Sequence, residues 1–284
     1  MAVRRLRLDA ELVRRGLARS REHAAELIAA GRVTVNGHRA AKPATAVATD
    51  SDLVVRADPD RPDYVSRGGH KLAGALAAFE PRGLQVAGRR CLDAGASTGG
   101  FTDVLLRAGA ARVVAVDVGY GQLAWALQSD HRVEVLDRTN IRDLTADLVG
   151  GPVDLVVGDL SFISLRLVLD ALIAVTRPDG DLVLMVKPQF EVGKDRLGKG
   201  GVVRDADQRA DAVVGIAAEA AGRGWGAVGV ATSPLPGPSG NVEFFLWLRR
   251  GDPAIGEPDI RAEVGRSETA VSRSDAPGAA DERL

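Results

Sequence analysis

The parts of this chain that could do chemistry are a glycine-rich turn, two lysines and a few carboxylates. The turn is Arg90-Cys91-Leu92-Asp93-Ala94-Gly95-Ala96-Ser97-Thr98-Gly99-Gly100-Phe101, a short apolar run that stops in glycines. Glycines let the backbone come close to a ligand, and a helix starting there offers free N–H groups. A second run, Val113 to Val116, ends in Asp117. An acid about 20 residues beyond such a turn is placed to hold two ribose hydroxyls. The pattern is not G-x-G-x-x-G: Asp93 precedes the first glycine, and Gly95, Gly99 and Gly100 are spaced differently. An aspartate on the first strand suits a nucleoside with a cationic amino-acid end, S-adenosyl-L-methionine, better than the pyrophosphate of NAD.

Four further residues stand at the boundaries of predicted elements. Asp159 follows Val153 to Gly158, and Lys187 follows Leu182 to Val186 and precedes Pro188. Glu243 opens the last apolar run, and Lys71 stands ahead of a helix in Ser66-Arg67-Gly68-Gly69-His70-Lys71. A lysine at the end of a buried strand is partly desolvated, which favours its neutral form. A neutral amine is a general base. Asp159 could orient that amine, and Glu243 could position Lys71 or the substrate. Each of these residues alone reads equally well as a solvated charge. Their convergence at one sheet edge is what would make a site.

The elements that must position them are strands at 90–94, 112–117, 132–136, 153–158, 181–187, 226–231 and 243–248, alternating with helices. The continuously apolar strands predict an α/β, Rossmann-like, doubly wound sheet with ligands beyond the carboxyl ends. Only Pro234 to Gly240 separates the last two strands, too short for a crossover, so the final strand is expected to be antiparallel. Ahead of this lies a small α+β unit. It has two short helices within 7–31, with Ser20 as N-cap, and an Asn36-Gly37 hairpin. The expected boundaries are 1–59 for the small domain, 60–66 for a linker and 67–250 for the large domain. The polar stretch 251–284 is expected to be a mobile tail, with room for one helical turn between Ile260 and Val264.

With 45% hydrophobic and 26% charged residues, the chain has an ordinary globular composition. Its single cysteine, Cys91, reads as a core residue, excludes a disulfide framework and suits a reducing cytoplasm. No run reaches the ~18 apolar residues of a membrane span. The four histidines show no metal-ligand spacing, so no metal is expected. The net charge of −1 hides a basic head: Arg4, Arg5, Arg7, Arg14, Arg15, Arg19 and Arg21 against Asp9 and Glu11. Such a head suggests a polyanionic partner. Phe162 could stack on a base but reads first as a core aromatic. Residues 191–204, rich in Gly and Lys, read as a flexible substrate-facing loop.

In these words and their order the chain resembles the TlyA family, haemolysin-A-like bacterial ribosomal-RNA 2′-O-methyltransferases. Their catalytic domain is similar to that of the FtsJ/RrmJ ribose methyltransferases. The matching words are Ser66 to Leu72, Asp93 to Phe101, Asp117 to Leu123, Asp159 to Ser164, Val186 to Glu191 and Pro236 to Glu243. Residues 7–57 resemble an S4 RNA-binding domain through Ser20-Arg21 and Gly31 to Gly37.

The resemblance implies a catalytic tetrad of Lys71, Asp159, Lys187 and Glu243. It implies cofactor contacts from Asp93, Ala94, Gly95, Ala96, Ser97, Gly99, Gly100 and Phe101, from Asp117 and Val118, and from Asp159. Asn140 or Asp143 would reach the adenine. RNA contacts are expected from Arg4, Arg5, Arg7, Arg14, Arg19, Arg21 and Arg67, some of them merely solvated. The implied reaction is methylation of a cytidine 2′-hydroxyl in 16S rRNA of the 30S subunit, in 23S rRNA of the 50S subunit, or in both. Lys187 would act as base and Lys71 would face the oxyanion, with no protein partner required. One departure stands out. Relatives carry Arg-x-Trp-Val between the domains, where this chain has Arg61-Pro62-Asp63-Tyr64-Val65. Two competing readings are an RNA-binding protein whose cofactor domain is not catalytic, and a membrane-active haemolysin. The second fits poorly, because no long amphipathic or apolar segment is present.

Overall fold

The computed structural model describes residues 4–56, 58, 62–193, 196–198 and 200–274. It contains two compact units that divide between Val65 and Ser66. Arg61 of the linker departure and Lys194 and Lys199 of the 191–204 loop lie outside the described residues.

The first unit holds β1 (Arg5–Arg7), α1 (Leu8–Arg14), α2 (Arg21–Ala29), β2 (Val33–Val35), β3 (His38–Arg39), β4 (Ala46–Ala48) and β5 (Leu53–Val55). Ser20 caps α2, its hydroxyl accepting from the His23 N–H at 3.1 Å. Asn36 and Gly37 both take positive φ, which closes the β2–β3 hairpin between Val35 and His38. The pairing of β1 with β4 was not legible in the sequence, because three-residue strands carry too short a pattern. Leu8, Leu12, Leu27, Ile28, Val33, Val47 and Leu53 form the core.

Charge pairing in this unit changes the reading of its arginines. Glu11 is fully buried and accepts from Arg14 at 2.6 Å and Arg15 at 2.7 Å, which holds its carboxyl down at about 2. Asp9 is buried and paired with Arg7 at 2.8 Å and Arg21 at 3.1 Å. Three of the arginines proposed for RNA, Arg7, Arg14 and Arg21, thus hold the fold together.

The second unit opens with α3 (Gly68–Phe79), so Lys71 lies within the first turn of that helix rather than ahead of it. It continues through β6 (Arg90–Ala94), α4 (Gly100–Arg107), β7 (Arg112–Val116), α5 (Trp125–Gln128), β8 (Val133–Leu136) and β9 (Val153–Gly158). Then come α6 (Leu169–Val175), β10 (Thr176–Val186), α7 (Pro188–Glu191), α8 (Ala206–Ala221), β11 (Trp225–Thr232), β12 (Phe244–Arg250) and α9 (Glu257–Ser274). The strands make one seven-stranded sheet in the order β11-β12-β10-β9-β6-β7-β8. The strands from β10 to β8 run parallel, and β12 enters antiparallel between β10 and β11. Leu92, Val114, Val156, Leu182, Leu184 and Leu246 fill its centre at 1% exposure or less, as expected of strands covered on both faces. Cys91 sits in this core, and burial pushes its thiol up to about 12, the behaviour of an inert packing residue.

Two expectations are corrected. Residues 251–284 are not a mobile tail throughout: 257–274 form α9. Ile260 and Val264, one helical turn apart, are buried, and Glu263 accepts from the Thr232 N–H and hydroxyl at 2.9 Å. Sparse apolar residues hid this helix, because two well-spaced side chains suffice when a neighbouring strand supplies hydrogen bonds. Residues 275–284 lie outside the described residues. Phe162 is not a core aromatic: it is 91% exposed.

At the sheet edge remote from the loops discussed next, Asp181 is fully buried. It accepts from Arg89 at 2.5 Å, from Trp247 Nε1 at 2.7 Å and from Arg249 at 2.9 Å. The network ties β10 and β12 to the residue that precedes β6.

Candidate active site

The carboxyl ends of β6, β9 and β10 and the start of β12 meet at one edge of the sheet. β6 feeds the glycine turn. Gly95 and Gly99 have φ of +85° and +96°, in the region that side chains other than glycine's rarely adopt. A Cβ on Gly99 would lie 2.2 Å from Leu127, and one on Gly100 would lie 2.3 Å from Ser66 Oγ and 2.8 Å from the Gly69 nitrogen. The glycines therefore let the N-termini of α3 and α4 approach each other closely. Between them lies a groove of about 120 Å³ lined by Ser66, Gly68, Gly95 to Thr98, Gly100, Phe101 and Asp159. A larger surface groove of about 410 Å³, lined by Arg166, Glu219 and Arg223, lies elsewhere. Its charges are paired with one another, Arg166 and Arg223 each meeting Glu219 at 2.8 Å.

Asp93 is fully buried at the end of β6, and one carboxylate oxygen accepts from the Thr102 hydroxyl at 2.7 Å. Its other oxygen, Oδ1, is buried and has no hydrogen-bond partner among the described residues. Burial pushes this carboxyl up to about 7, against the pull of Thr102. A buried acceptor left open beside a groove is what a cationic ligand group would satisfy.

Asp117 follows β7. It accepts from the Ser97 N–H at 2.8 Å on one oxygen and from the Gly119 N–H at 2.7 Å on the other. Each oxygen keeps a second acceptor site, enough for a diol. Ser97 takes φ +47° to make this contact. Val118 beside it is 75% exposed. The segment after β8 is tied to the same place, the Thr139 N–H donating to the Asp117 carbonyl at 3.0 Å. That brings Asn140 near Asp117, although Asn140 also caps its own turn by accepting from the Arg142 N–H at 3.1 Å. Asp143 is exposed one turn further on, and its side chain shows no tie to Asp117.

The two lysines are each matched to one acid. Lys187 Nζ lies 2.6 Å from Asp159 and donates to Ser161 Oγ at 2.9 Å. Lys71 Nζ lies 2.6 Å from Glu243, whose carboxylate is fully buried. Both amines are buried, at 5% and 7% exposure. Val186 pairs with Phe244 across β10 and β12, so Lys187 and Glu243, the next residue outward on each strand, leave the sheet side by side. Gln189 Nε2 reaches Glu243 at 3.5 Å. Gly237 is needed here, because a Cβ would fall 2.2 Å from the Glu243 carboxylate. All four residues named from the sequence are thus gathered at one sheet edge, with Asp159 also lining the cofactor groove.

Glu191 and Ser161, with no role assigned from sequence, and Phe162, which could stack on a base or pack in the core, also belong to this edge. Glu191 accepts from the Ser164 hydroxyl at 2.6 Å and the Leu165 N–H at 2.8 Å, clamping the loop after β9 to the segment after β10. Phe162, with φ +64°, sets its ring 5.4 Å from that of Phe190. Ser161 touches Lys187. The signal for Glu191 and Ser161 was their place inside the matching words. Arg67 is exposed at the start of α3.

A seven-stranded sheet with this strand order, a glycine turn after β6 and an acid after β7 defines the class of Rossmann-like methyltransferases. Comparison with known proteins agrees. Residues 64–250 match the model of the FtsJ-like methyltransferase family, and residues 6–53 match the S4 domain. The chain is 61% identical over 265 residues to the 16S/23S rRNA (cytidine-2′-O)-methyltransferase TlyA of Mycobacterium tuberculosis, covering 93% of this chain and 97% of that one. It is 45% identical to YqxC of Bacillus subtilis, named as an rRNA methyltransferase, over 87% of each chain. A solved structure from Streptococcus thermophilus, described as a hemolysin, superposes with a TM-score of 0.73 at 36% identity, covering 96% of this chain and 99% of that one. The chain belongs to the TlyA family of S4-containing, FtsJ-like methyltransferases. Its cofactor is accordingly S-adenosyl-L-methionine, and the open Asp93 oxygen and the glycine cradle fit that molecule. No helix among the described residues is long and apolar enough to cross a membrane.

Proposed function

We propose that this protein methylates the ribose 2′-hydroxyl of a cytidine in ribosomal RNA, in the 16S chain, the 23S chain or both, with Lys187 as general base. The observation that carries this reading is the Lys187–Asp159 pair at 2.6 Å on the wall of the cofactor groove, with the Lys71–Glu243 pair beside it. Bound S-adenosylmethionine supplies an electrophilic methyl group. Asp93 and the turn from Ala94 to Phe101 hold its methionine end, Asp117 and Val118 its ribose, and Asn140 or Asp143 its adenine.

Lys187, oriented by Asp159, takes the proton of the 2′-hydroxyl as the new oxygen–carbon bond forms and the sulfur–carbon bond breaks. Lys71, fixed by Glu243, faces the charge that develops on the oxygen; a preorganised donor of this kind is worth about 3–4 kcal/mol of barrier. Phe162 offers a bare ring face on which a base turned out of its helix can stack. The S4 unit and Arg67 supply phosphate contacts that position the RNA without reading it. Arg4 and Arg5 are the leading contributors, because Arg7, Arg14 and Arg21 are engaged with acids.

Mapping of 2′-O-methyl marks by primer extension at limiting dNTP tests the reading. Purified 30S and 50S subunits lacking the marks should acquire one at a cytidine when incubated with protein and cofactor. Cofactor binding without any new mark on either subunit would favour the non-catalytic alternative.

A further inference from the structure

We propose that Ser161 is a positioning residue that sets the direction of the Lys187 amine. The inference rests on Lys187 being the base. An ammonium has three N–H directions about its Cε–Nζ bond. Ser161 Oγ accepts one of them at 2.9 Å, while the Asp159 carboxylate pairs with the amine at 2.6 Å as a charge and not along a hydrogen-bond direction. Lys187 itself is 5% exposed, so little water competes for the other directions. When the amine gives up a proton, the Ser161 oxygen holds one remaining N–H group and limits where the lone pair can point. With the Asp159 charge alone, the amine rotates and the lone pair is spread over all three positions.

The loop that carries Ser161 is built to hold it still. The Asp159 N–H donates to the Ala94 carbonyl at 3.1 Å, and Leu160 is buried. Two residues past Phe162, the Glu191 carboxylate grips the Ser164 hydroxyl and the Leu165 N–H. Phe162 between them takes φ +64°, a conformation that costs a non-glycine residue energy and persists only where its surroundings impose it. Ser161 is therefore pinned from both sides. The charged groups around the amine are Asp159 on its own side and the Lys71–Glu243 pair on the neighbouring strand end.

The test compares Ser161→Ala, Ser161→Thr and Lys187→Ala in single-turnover methyl transfer to ribosomal subunits between about pH 6 and 9. Ser161→Ala should lower the plateau rate about tenfold, the scale of a lost orienting contact, with cofactor and RNA affinities within about twofold of wild type. Ser161→Thr, which keeps the hydroxyl, should restore the rate. A wild-type rate in Ser161→Ala with Lys187→Ala inactive overturns the role of Ser161 alone. An effect of Ser161→Ala confined to the KM for RNA also overturns it. Turnover surviving in Lys187→Ala removes the base assignment and this inference with it.

Discussion

Lys187 and Asp159 leave neighbouring parallel strands at the same edge of the sheet and meet there at 2.6 Å. Lys71 and Glu243 repeat the arrangement from a helix and an antiparallel strand. In the proposed mechanism these two cations divide the work, Lys187 taking the hydroxyl proton and Lys71 facing the oxyanion. Lys71→Met combined with Glu243→Gln avoids stranding a buried carboxylate. It should fold, bind cofactor and lose about 10²–10³ in kcat, measured by methyl transfer with Tm as control. Unchanged kcat would remove Lys71 from the reaction.

Asp93, proposed to hold the methionine end of the cofactor, should make cofactor binding depend on pH. Its carboxyl sits at about 7, above the ordinary range, because it is buried. The stability it contributes without ligand is therefore full below the ordinary carboxylate range near pH 4 and is lost as pH rises through 7. A cationic ligand group reverses the preference and favours the ionised acid. Calorimetry near pH 6.5 in buffers of different ionisation enthalpy should show a proton released on binding, and affinity should rise with pH up to about 8. Asp93→Asn should abolish the proton release. A binding enthalpy that does not vary with buffer would contradict this.

How much of this was legible in sequence depended on the length of the pattern. The long apolar strands 153–158 and 182–186 announced a buried parallel sheet, and the Pro234 to Gly240 loop announced the antiparallel last strand. The tetrad residues were visible because each terminates such a strand or a glycine-rich word. By contrast, Ser161 and Glu191 act through hydrogen bonds between loops, which leave no periodicity. Phe162 was misread because an isolated aromatic in a loop carries no pattern that tells core from surface. The split of the arginines into paired and unpaired sets was equally hidden, since it depends on which acids the fold buries beside them.

That split gives a prediction for RNA binding. Among the described residues Arg4 and Arg5 form no ion pair with an acid, whereas Arg14 holds the buried Glu11. Arg4→Ala and Arg5→Ala should each reduce the salt slope of RNA binding by about one, with Tm unchanged. Arg14→Ala should instead lower the thermal stability of the S4 unit and leave the slope nearly as it was. Filter binding across a salt series, with Tm measured in parallel, separates the two.

Asp181 should matter for stability alone. Replacing it with Ala strands Trp247 Nε1 and two guanidinium groups at the far edge of the sheet, at a cost of roughly 3 kcal/mol. Denaturant unfolding should show that loss, while kcat of the protein that remains folded stays at its wild-type value.

The most direct measurement is transfer of a tritiated methyl group from cofactor to ribosomal subunits by Lys187→Ala, with cofactor affinity measured alongside. Loss of transfer with cofactor affinity within a few-fold of wild type is the expected result. Transfer at the wild-type rate would contradict the account.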